Sequence, residues 1–472
     1  MTATSRSVPA RTPPSGTAGA VAVDAPDRPW EPRWLNVARR RAAAWVEAHG
    51  FPTVKHEDWR YTKIDAALAV PLAAPPQGAV GDVDTLALAD LPTPPLGGVR
   101  VVVVNGRVAA GLSSTGGALA PGMRVEPLAD ALHKSQGSLE QAWGWHADGY
   151  AHALRALNDA ATLDGVLIEL AAGALVEDPI EIVYASVPAP GAGWSHPRVV
   201  VVAGAGARAT LVETYLSGPS GSSVTNAVTQ VHLGQGAELE HCVLQGAGMD
   251  SFCFSSLEAR LARGSRLSSR LLATGGRVGR HEVDVVLADE GAELSLDGLF
   301  LTGAGQHHDN PVLVDHAAPS CTSRQLYKGV VSGDGHGVFN GHIVVRPGAD
   351  GTDAAQVNKN LLLSDRAEVD TRPRLEINAD EVACSHGAAV GQLDPDALFY
   401  LRSRGVSEGE ARAVLVSGFA REVLDRFGRG SIRGRAEELA MAAGLLALGE
   451  DGHGDDAVTA GLARARPGGR WQ

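Results

Sequence analysis

From Asp164 onward the chain alternates apolar and polar residues in short runs, each closed by a turn. Runs such as Val199 to Val202 and Glu282 to Leu287 are too short for helices and rich in β-branched side chains, which favour extended backbone. The turns recur. GALV begins at Gly173, GARA at Gly206, GAEL at Gly236, GSRL at Gly264 and GAEL at Gly291, with spacings of 33, 30, 28 and 27 residues. A comparable unit without glycine follows at Arg366-Ala367-Glu368-Val369. Recurrence at this period is how a stacked solenoid shows itself, because no unit can bury its apolar face alone. The pattern predicts a mainly β chain with a β-helix-like solenoid over residues 164–388, flanked by an N-terminal helical and mixed region (29–163) and a C-terminal helical domain (389–448).

The spacing breaks between Gly291 and Gly337, where TGAGQHHDNPVLVDHAAPSC intervenes. It groups His307, His308, Asp309 and His316, all metal-ligand types. Adjacent histidines on extended backbone point apart, however, so a hydrogen-bonded turn within the solenoid is expected there rather than a metal site.

The flanks read differently. Trp34, Ala38, Ala42 and Trp45 fall on one face of a helix that runs from Trp34 to His49 and is ended by Gly50 and Pro52. Arg39 to Arg41 lie largely off that face and are expected to be solvated. Val101 to Val104 followed by Asn105-Gly106 predicts a strand entering a type I′ hairpin turn. A helical segment over Leu139 to Ala161 carries Trp143 and Trp145, expected to pack a core. At the other end, Asp394-Pro395 opens a helix running to Arg404. Ser407 and Glu410 form a capping box for a second helix, whose stripe is Val416, Phe419, Ala420, Val423, Leu424 and Phe427. A third helix is expected over Arg435 to Leu448. Residues 1–28 and 449–472 lack an apolar pattern and are expected to be disordered tails.

Composition narrows the function. The net charge of −13 argues against nucleic-acid binding, and no apolar run approaches the roughly 20 residues that span a bilayer. Glycine, at 57 of 472 residues, is abundant and aromatics make up only 5%, which suits short strands and tight turns better than sugar stacking. The four cysteines, Cys242, Cys253, Cys321 and Cys384, are dispersed without a C-x-x-C pair, so the simplest compartment is a reducing cytoplasm. Neither a phosphate-cradling G-x-x-x-x-G-K-[ST] loop nor a G-x-S-x-G or H-E-x-x-H motif is present. The chain is expected to be no enzyme.

One pair suggests chemistry. Leu375, Ile377 and Ala379 alternate with polar neighbours, and the phase slips at Asp380-Glu381 as if at a bulge or turn. Val382, Cys384 and His386 then share a strand face, placing a thiol beside an imidazole at the last rungs of the solenoid. Packing alone would account for a buried cysteine, and hydrogen bonding for a histidine.

The stretch AEVDTRPRLEINADEVACSHGAAVGQLDPDALFYLRSRGV resembles the C-terminal signature of the SufB/SufD family of iron–sulfur cluster assembly proteins, on its SufD side. The resemblance extends upstream through HHDNPVLVDH (His307 to His316) and weakly to HEDWRYT (His56 to Thr62), covering most of residues 40 to 430. It implies a right-handed parallel β-helix core and a non-ATPase subunit of the SUF scaffold complex. It also implies pairing with SufB through the solenoid edge, and docking of the ABC-type ATPase SufC on the C-terminal helices, with Leu398, Phe399, Tyr400, Arg402 and Phe419 as contact residues. A homodimer is the expectation for the chain alone. Transient iron or an iron–sulfur cluster at the SufB interface would then be held in part by His386 and Cys384, and the complex would associate with reduced flavin. Two ligands fall short of the four donors a cluster typically requires, and a second chain would supply the rest. Two alternatives stay open: a SufB-type scaffold paralogue, and a β-solenoid enzyme acting on polysaccharide, which would need clustered catalytic residues and stacking aromatics.

Overall fold

Two sheets of parallel strands wind around a shared interior, as the turn spacing predicts. The computed structural model describes residues 27–71, 95–114, 119–134, 136–143, 150–187, 193–218, 222–428 and 430–444. The expected tails (but for residues 27 and 28), Trp145 and the end of the third C-terminal helix lie outside those residues.

The first sheet holds β1 (Arg100–Val104), β2 (Arg107–Val108), β5 (Ile180–Ser186), β8 (Arg208–Ser217) and β10 (Glu238–Gln245). It continues with β12 (Arg266–Ala273), β14 (Glu293–Thr302), β16 (Thr322–Val331), β18 (Asp353–Leu362) and β20 (Ala383–Gly391), in the order β2-β1-β5-β8-β10-β12-β14-β16-β18-β20. The second sheet holds β3 (Met123–Pro127), β4 (Gly165–Leu170), β6 (Trp194–Ser195), β7 (Arg198–Ala203), β9 (Ser223–Leu233) and β11 (Ser251–Leu261). It closes with β13 (Val278–Leu287), β15 (His307–His316), β17 (His336–Val345) and β19 (Glu368–Ile377), in the order β19-β17-β15-β13-β11-β9-β7-β4-β3, with β6 beside β9. From β7 on the chain alternates between sheets, so each strand short of the last two pairs with the strand one turn earlier and one turn later.

The corners explain the repeat. Gly173, Gly206, Gly236, Gly264 and Gly291 all have φ between 61° and 73°, the left-handed region that a Cβ disfavours. Their N–H groups donate to the corner of the next turn: Gly206 to Gln235 O (2.8 Å), Gly236 to Arg263 O (2.9 Å), Gly264 to Glu290 O (3.1 Å) and Gly291 to Pro319 O (3.2 Å). The expected break after Gly291 is absent. The next corner residue is Ser320, with φ 58°, donating to Asp350 O (2.8 Å), and the one after is Gly351, donating to Glu381 O (2.7 Å). A serine in the left-handed region hid the period. The HHDNPVLVDH run is accordingly a full strand, β15, and not a turn. The Arg366-Ala367-Glu368-Val369 unit sits at the opposite corner, leading into the other sheet.

The N-terminal region caps the solenoid as well as flanking it. The hairpin forms as expected, with Asn105 at φ 47° and Gly106 at φ 82°, and its β1 adds parallel to β5. Helices α1 (Arg33–His49), α2 (Asp65–Leu68), α3 (Leu128–Lys134), α4 (Gln136–Trp143) and α5 (Ala153–Ala161) cover the outer face of the second sheet. Trp143 is buried there, with the Arg198 guanidinium 4.1 Å from its ring centroid. Arg39, expected in solvent, is only 1% exposed. It pairs with Glu31 (2.7 Å) and donates to the last carbonyls of α5, Asp159 O and Ala160 O (both 3.1 Å), where a cation complements the helix end. On the other side, α6 (Pro395–Ser403), α7 (Glu408–Leu424) and α8 (Ser431–Ala442) lie at the first sheet. Val416, Ala420, Val423, Leu424 and Phe427 pack on its outward Val212, Leu244, Leu272, Leu299 and Leu326. The Ser407–Glu410 capping box forms as expected.

The interior is not uniformly apolar. Glu213 is fully enclosed and accepts from Tyr184 Oη (2.7 Å), Tyr215 Oη (3.1 Å), Thr229 Oγ1 (2.7 Å) and His241 Nε2 (2.8 Å). Burial alone would raise its pKa, but the hydrogen bond and charge of His241 and the hydroxyl donors outweigh it and hold the carboxyl below its ordinary value of 4.5. A group depressed on folding stabilises the protein above its unfolded pKa, and that contribution is lost as pH falls below about 4.5 through the folded value. Glu213→Ala strips four donors of their acceptor and is expected to cost about 3–5 kcal/mol in urea unfolding. Glu213→Gln is expected to flatten the loss of stability below pH 4.5.

Candidate functional site

The solenoid ends on an open rung. Among the described residues β19 pairs only with β17, and β20 only with β18, so one edge of each final strand offers unpaired main-chain groups there. The slip at Asp380-Glu381 is the last corner, where the chain crosses from one sheet to the other; it is not a bulge within a strand. Leu361 lies one rung deeper in β18, which is paired on both sides.

Cys384 and His386 sit together on β20, in register with Ala354 and Gln356 of β18. Those two neighbours are buried, so the alternation turns Cys384 and His386 toward the mouth of the tube. Cys384 is half-buried and packs on the end of the apolar core, whereas His386 is exposed. The wall beneath them changes character over the last rungs. β14 turns Leu294, Leu296, Gly298 and Phe300 inward; the matching positions of β16 are Ser323, Gln325, Tyr327 and Gly329. On β18 they are Ala354, Gln356, Asn358 and Asn360, and on β20 Cys384, His386, Ala388 and Val390. Three amides thus line the rung directly below the thiol and imidazole. Reading the sequence alone missed them, because only the register shows which positions stack.

Burial raises the Cys384 thiol above its usual pKa of 9.0, helped by the nearby Asp353 carboxylate and opposed by the Ala354 main chain. The isolated chain therefore carries a protonated thiol beside the imidazole at neutral pH. The other cysteines do not converge on it: Cys253 and Cys321 face the interior, and Cys242 lies under the C-terminal helices. Among the described residues no three side chains of metal-ligating type come together.

The upstream motifs prove to be partners of each other. His307 and His308 point apart, as expected. His307 Nε2 meets Thr62 Oγ1 on the outside (2.9 Å), and His308 bonds inward to Gly275 O (2.8 Å) and Thr302 Oγ1 (3.0 Å). His316 also turns inward, to Ser323 Oγ (2.9 Å). Asp309 pairs with Arg280, whose guanidinium lies 3.7 Å from the ring centroid of Trp59 and donates to Asp58 O (3.2 Å). Arg372 and Arg374 of β19 reach Glu57 and Asp58. The HEDWRYT segment is therefore a clamp across the outer face of the last rungs.

Of the expected docking residues, Phe399 and Tyr400 are 74% and 58% exposed on α6, Arg402 is exposed beside them, and Leu398 is half-buried. Phe419 faces the solenoid instead: it packs against the covered face of the first sheet, with Lys328 Nζ 4.3 Å from its ring centroid. No helix among the described residues is long and apolar enough to cross a membrane.

Comparison with known proteins agrees with this geometry. Residues 187–419 match the family described as "SUF system FeS cluster assembly, SufBD core domain", and residues 29–182 that described as "SufBD protein N-terminal region". The chain is 29% identical to an iron–sulfur cluster assembly SufBD family protein of Synechocystis, over 85% of this chain and 89% of the relative. It is 31% identical to the iron–sulfur cluster assembly protein SufD of Escherichia coli, over 80% and 85%, and 27% identical to SufD of Bacillus subtilis, over 58% and 63%.

Exposure predicts which thiol reacts. Cys384 is expected to be alkylated in the native chain while Cys242, Cys253 and Cys321 stay protected, with a rate still rising as pH passes 9. Peptide mass spectrometry after iodoacetamide labelling checks both points.

Proposed function

We propose, for a chain that belongs to the SufBD family of iron–sulfur cluster assembly proteins and is SufD-type, that it serves as the non-ATPase half of a scaffold completed by a SufB-type paralogue. The observation that carries this reading is the open rung, where two strand edges, unpaired among the described residues, flank a mouth holding one thiol and one imidazole. An equivalent edge on a second chain would satisfy the main chain by strand addition and bring further donors to the same mouth. Iron or the nascent cluster is the cargo of that junction. His386 offers an imidazole nitrogen, and Cys384 assists once a bound metal displaces its proton. The chain's own part is positional and not catalytic, in a cytoplasmic complex.

The ATPase SufC would dock on the exposed Phe399, Tyr400 and Arg402 of α6. Deleting the C-terminal helices would bare the apolar outer face of the first sheet, so point substitutions test this better. Phe399→Asp with Tyr400→Asp is expected to abolish pull-down of the ATPase while leaving the thermal unfolding midpoint unchanged; full capture would overturn the docking surface.

In the co-expressed complex, His386→Ala is expected to assemble normally by gel filtration and to lose cluster absorbance and iron by about tenfold or more, a ligand's effect being at least that of its supporting partners. Cys384→Ser should show a weaker version. Normal cluster content in an assembled His386→Ala complex would return both residues to packing roles.

A further inference from the structure

The two strands that end the solenoid present different edges. In a parallel ladder a residue turns its N–H and its C=O to the same neighbour, and successive residues alternate between neighbours. On the β19 side, the N–H groups of Glu368 and Asn378 donate to Gly335 O (3.0 Å) and Val345 O (2.9 Å). Even-numbered residues therefore bond back to β17, and Val369, Thr371, Pro373, Leu375 and Ile377 turn their main chain to the open edge. On β20 the Ala383 N–H donates to Thr352 O (2.8 Å), so odd-numbered residues bond back to β18. Cys384, His386, Ala388 and Val390 face the open edge.

Pro373 carries no N–H, and its nitrogen lies on the open side, so it costs the β17–β19 ladder nothing. It splits the β19 edge into two short stretches, Val369 with Thr371 and Leu375 with Ile377. The side chains that β19 turns outward between them are all charged: Glu368, Asp370, Arg372, Arg374 and Glu376. Several are pinned in place, Asp370 by His336 (2.8 Å), Arg374 by Asp58 (3.4 Å) and Arg372 by Glu57. Proline and charged side chains are how an edge strand is kept from taking another strand. β20 has neither on that row. Its outward-facing side chains are Ala383, Ser385, Gly387, Ala389 and Gly391, and its row of edge donors is unbroken.

We propose that the open rung takes its partner strand as a continuous ladder on β20, and that Pro373 is the residue that denies such a ladder to β19. The occupant is the end strand of the SufB-type paralogue. This rests on the reading of the open rung as the paralogue's docking edge, and names the strand that does the docking. A solenoid of the same family has the same rung geometry and can bring a strand of matching length to the edge end-on. The asymmetry also selects among partners, because a strand without a solenoid behind it finds one usable edge and not two.

The test uses the full chain with its purified SufB-type paralogue. Residue-resolved amide exchange is expected to show protection gained on binding at Cys384, His386, Ala388 and Val390, and little change at Val369, Thr371, Leu375 and Ile377. Ala388→Pro removes one open-edge donor from β20 and no bond to β18; Thr371→Pro does the same on β19. Affinity for the paralogue is expected to fall about tenfold in Ala388→Pro and less than about twofold in Thr371→Pro. Thermal unfolding checks that both variants fold, and the exchange measurement on the parent decides the matter if either does not. Pro373→Ala restores a donor, and the isolated chain should then self-associate about three- to tenfold more tightly by sedimentation equilibrium. Equal protection of both edges, or equal loss in the two proline variants, overturns the assignment to β20 and leaves the paralogue reading standing. A paralogue that binds without protecting either strand overturns both. No binding of the paralogue, with β20 protected in the self-associated chain, keeps the edge and overturns its occupant. A Pro373→Ala chain that self-associates no more than the parent overturns the role of Pro373.

Discussion

Everything in this chain depends on the parallel main-chain ladder, in which each rung satisfies its hydrogen bonds only through the rungs on either side. The two sheets keep a constant register from β8 to β20 and from β7 to β19, so side chains stack in columns along the tube. Because the chain crosses between sheets at every turn, the corners must also stack, and the N–H ladder from Gly173 to Gly351 does that. A ladder of this kind has two ends. The first carries the short antiparallel strands β2 and β3; the second ends on the long parallel strands β19 and β20, whose outer edges are unpaired among the described residues. An open end on a long, regular solenoid is an aggregation hazard unless something covers it.

The outer faces are handled separately. Helices from both ends of the chain cover the two sheets, and the contacts are partly ionic. Arg155 bridges Glu258, Glu282 and Asp284, Arg280 bridges Glu282 and Asp309, and Arg435 reaches Glu181. Buried pairs of this sort add less to net stability than they subtract when one partner is lost. Here they tie α5 to β11 and β13, β13 to β15, and α8 to β5.

At the mouth, a thiol and an imidazole stand side by side. The thiol is held protonated by burial, and the imidazole lies in the open above an amide-lined rung. The thiol and the imidazole stand on the same strand, β20, whose outer edge is unpaired among the described residues.

The sequence by itself determined the period of the solenoid, the hairpin at Asn105-Gly106, the capped C-terminal helices and the Cys384–His386 pair. Each of these rests on local rules: positive φ at glycine, side-chain alternation, and helix capping. It could not show that Ser320 occupies a glycine's corner, since a serine carries no local mark of that backbone. Nor could it show that Arg39 is buried, that HEDWRYT grips the HHDN strand, or that Gln325, Gln356 and His386 form one column. Residues 30 apart become neighbours only when rungs stack, and small variations in turn length scramble that register in the linear chain. The tertiary structure alone decided which polar residues face the interior, and therefore what stands behind the imidazole.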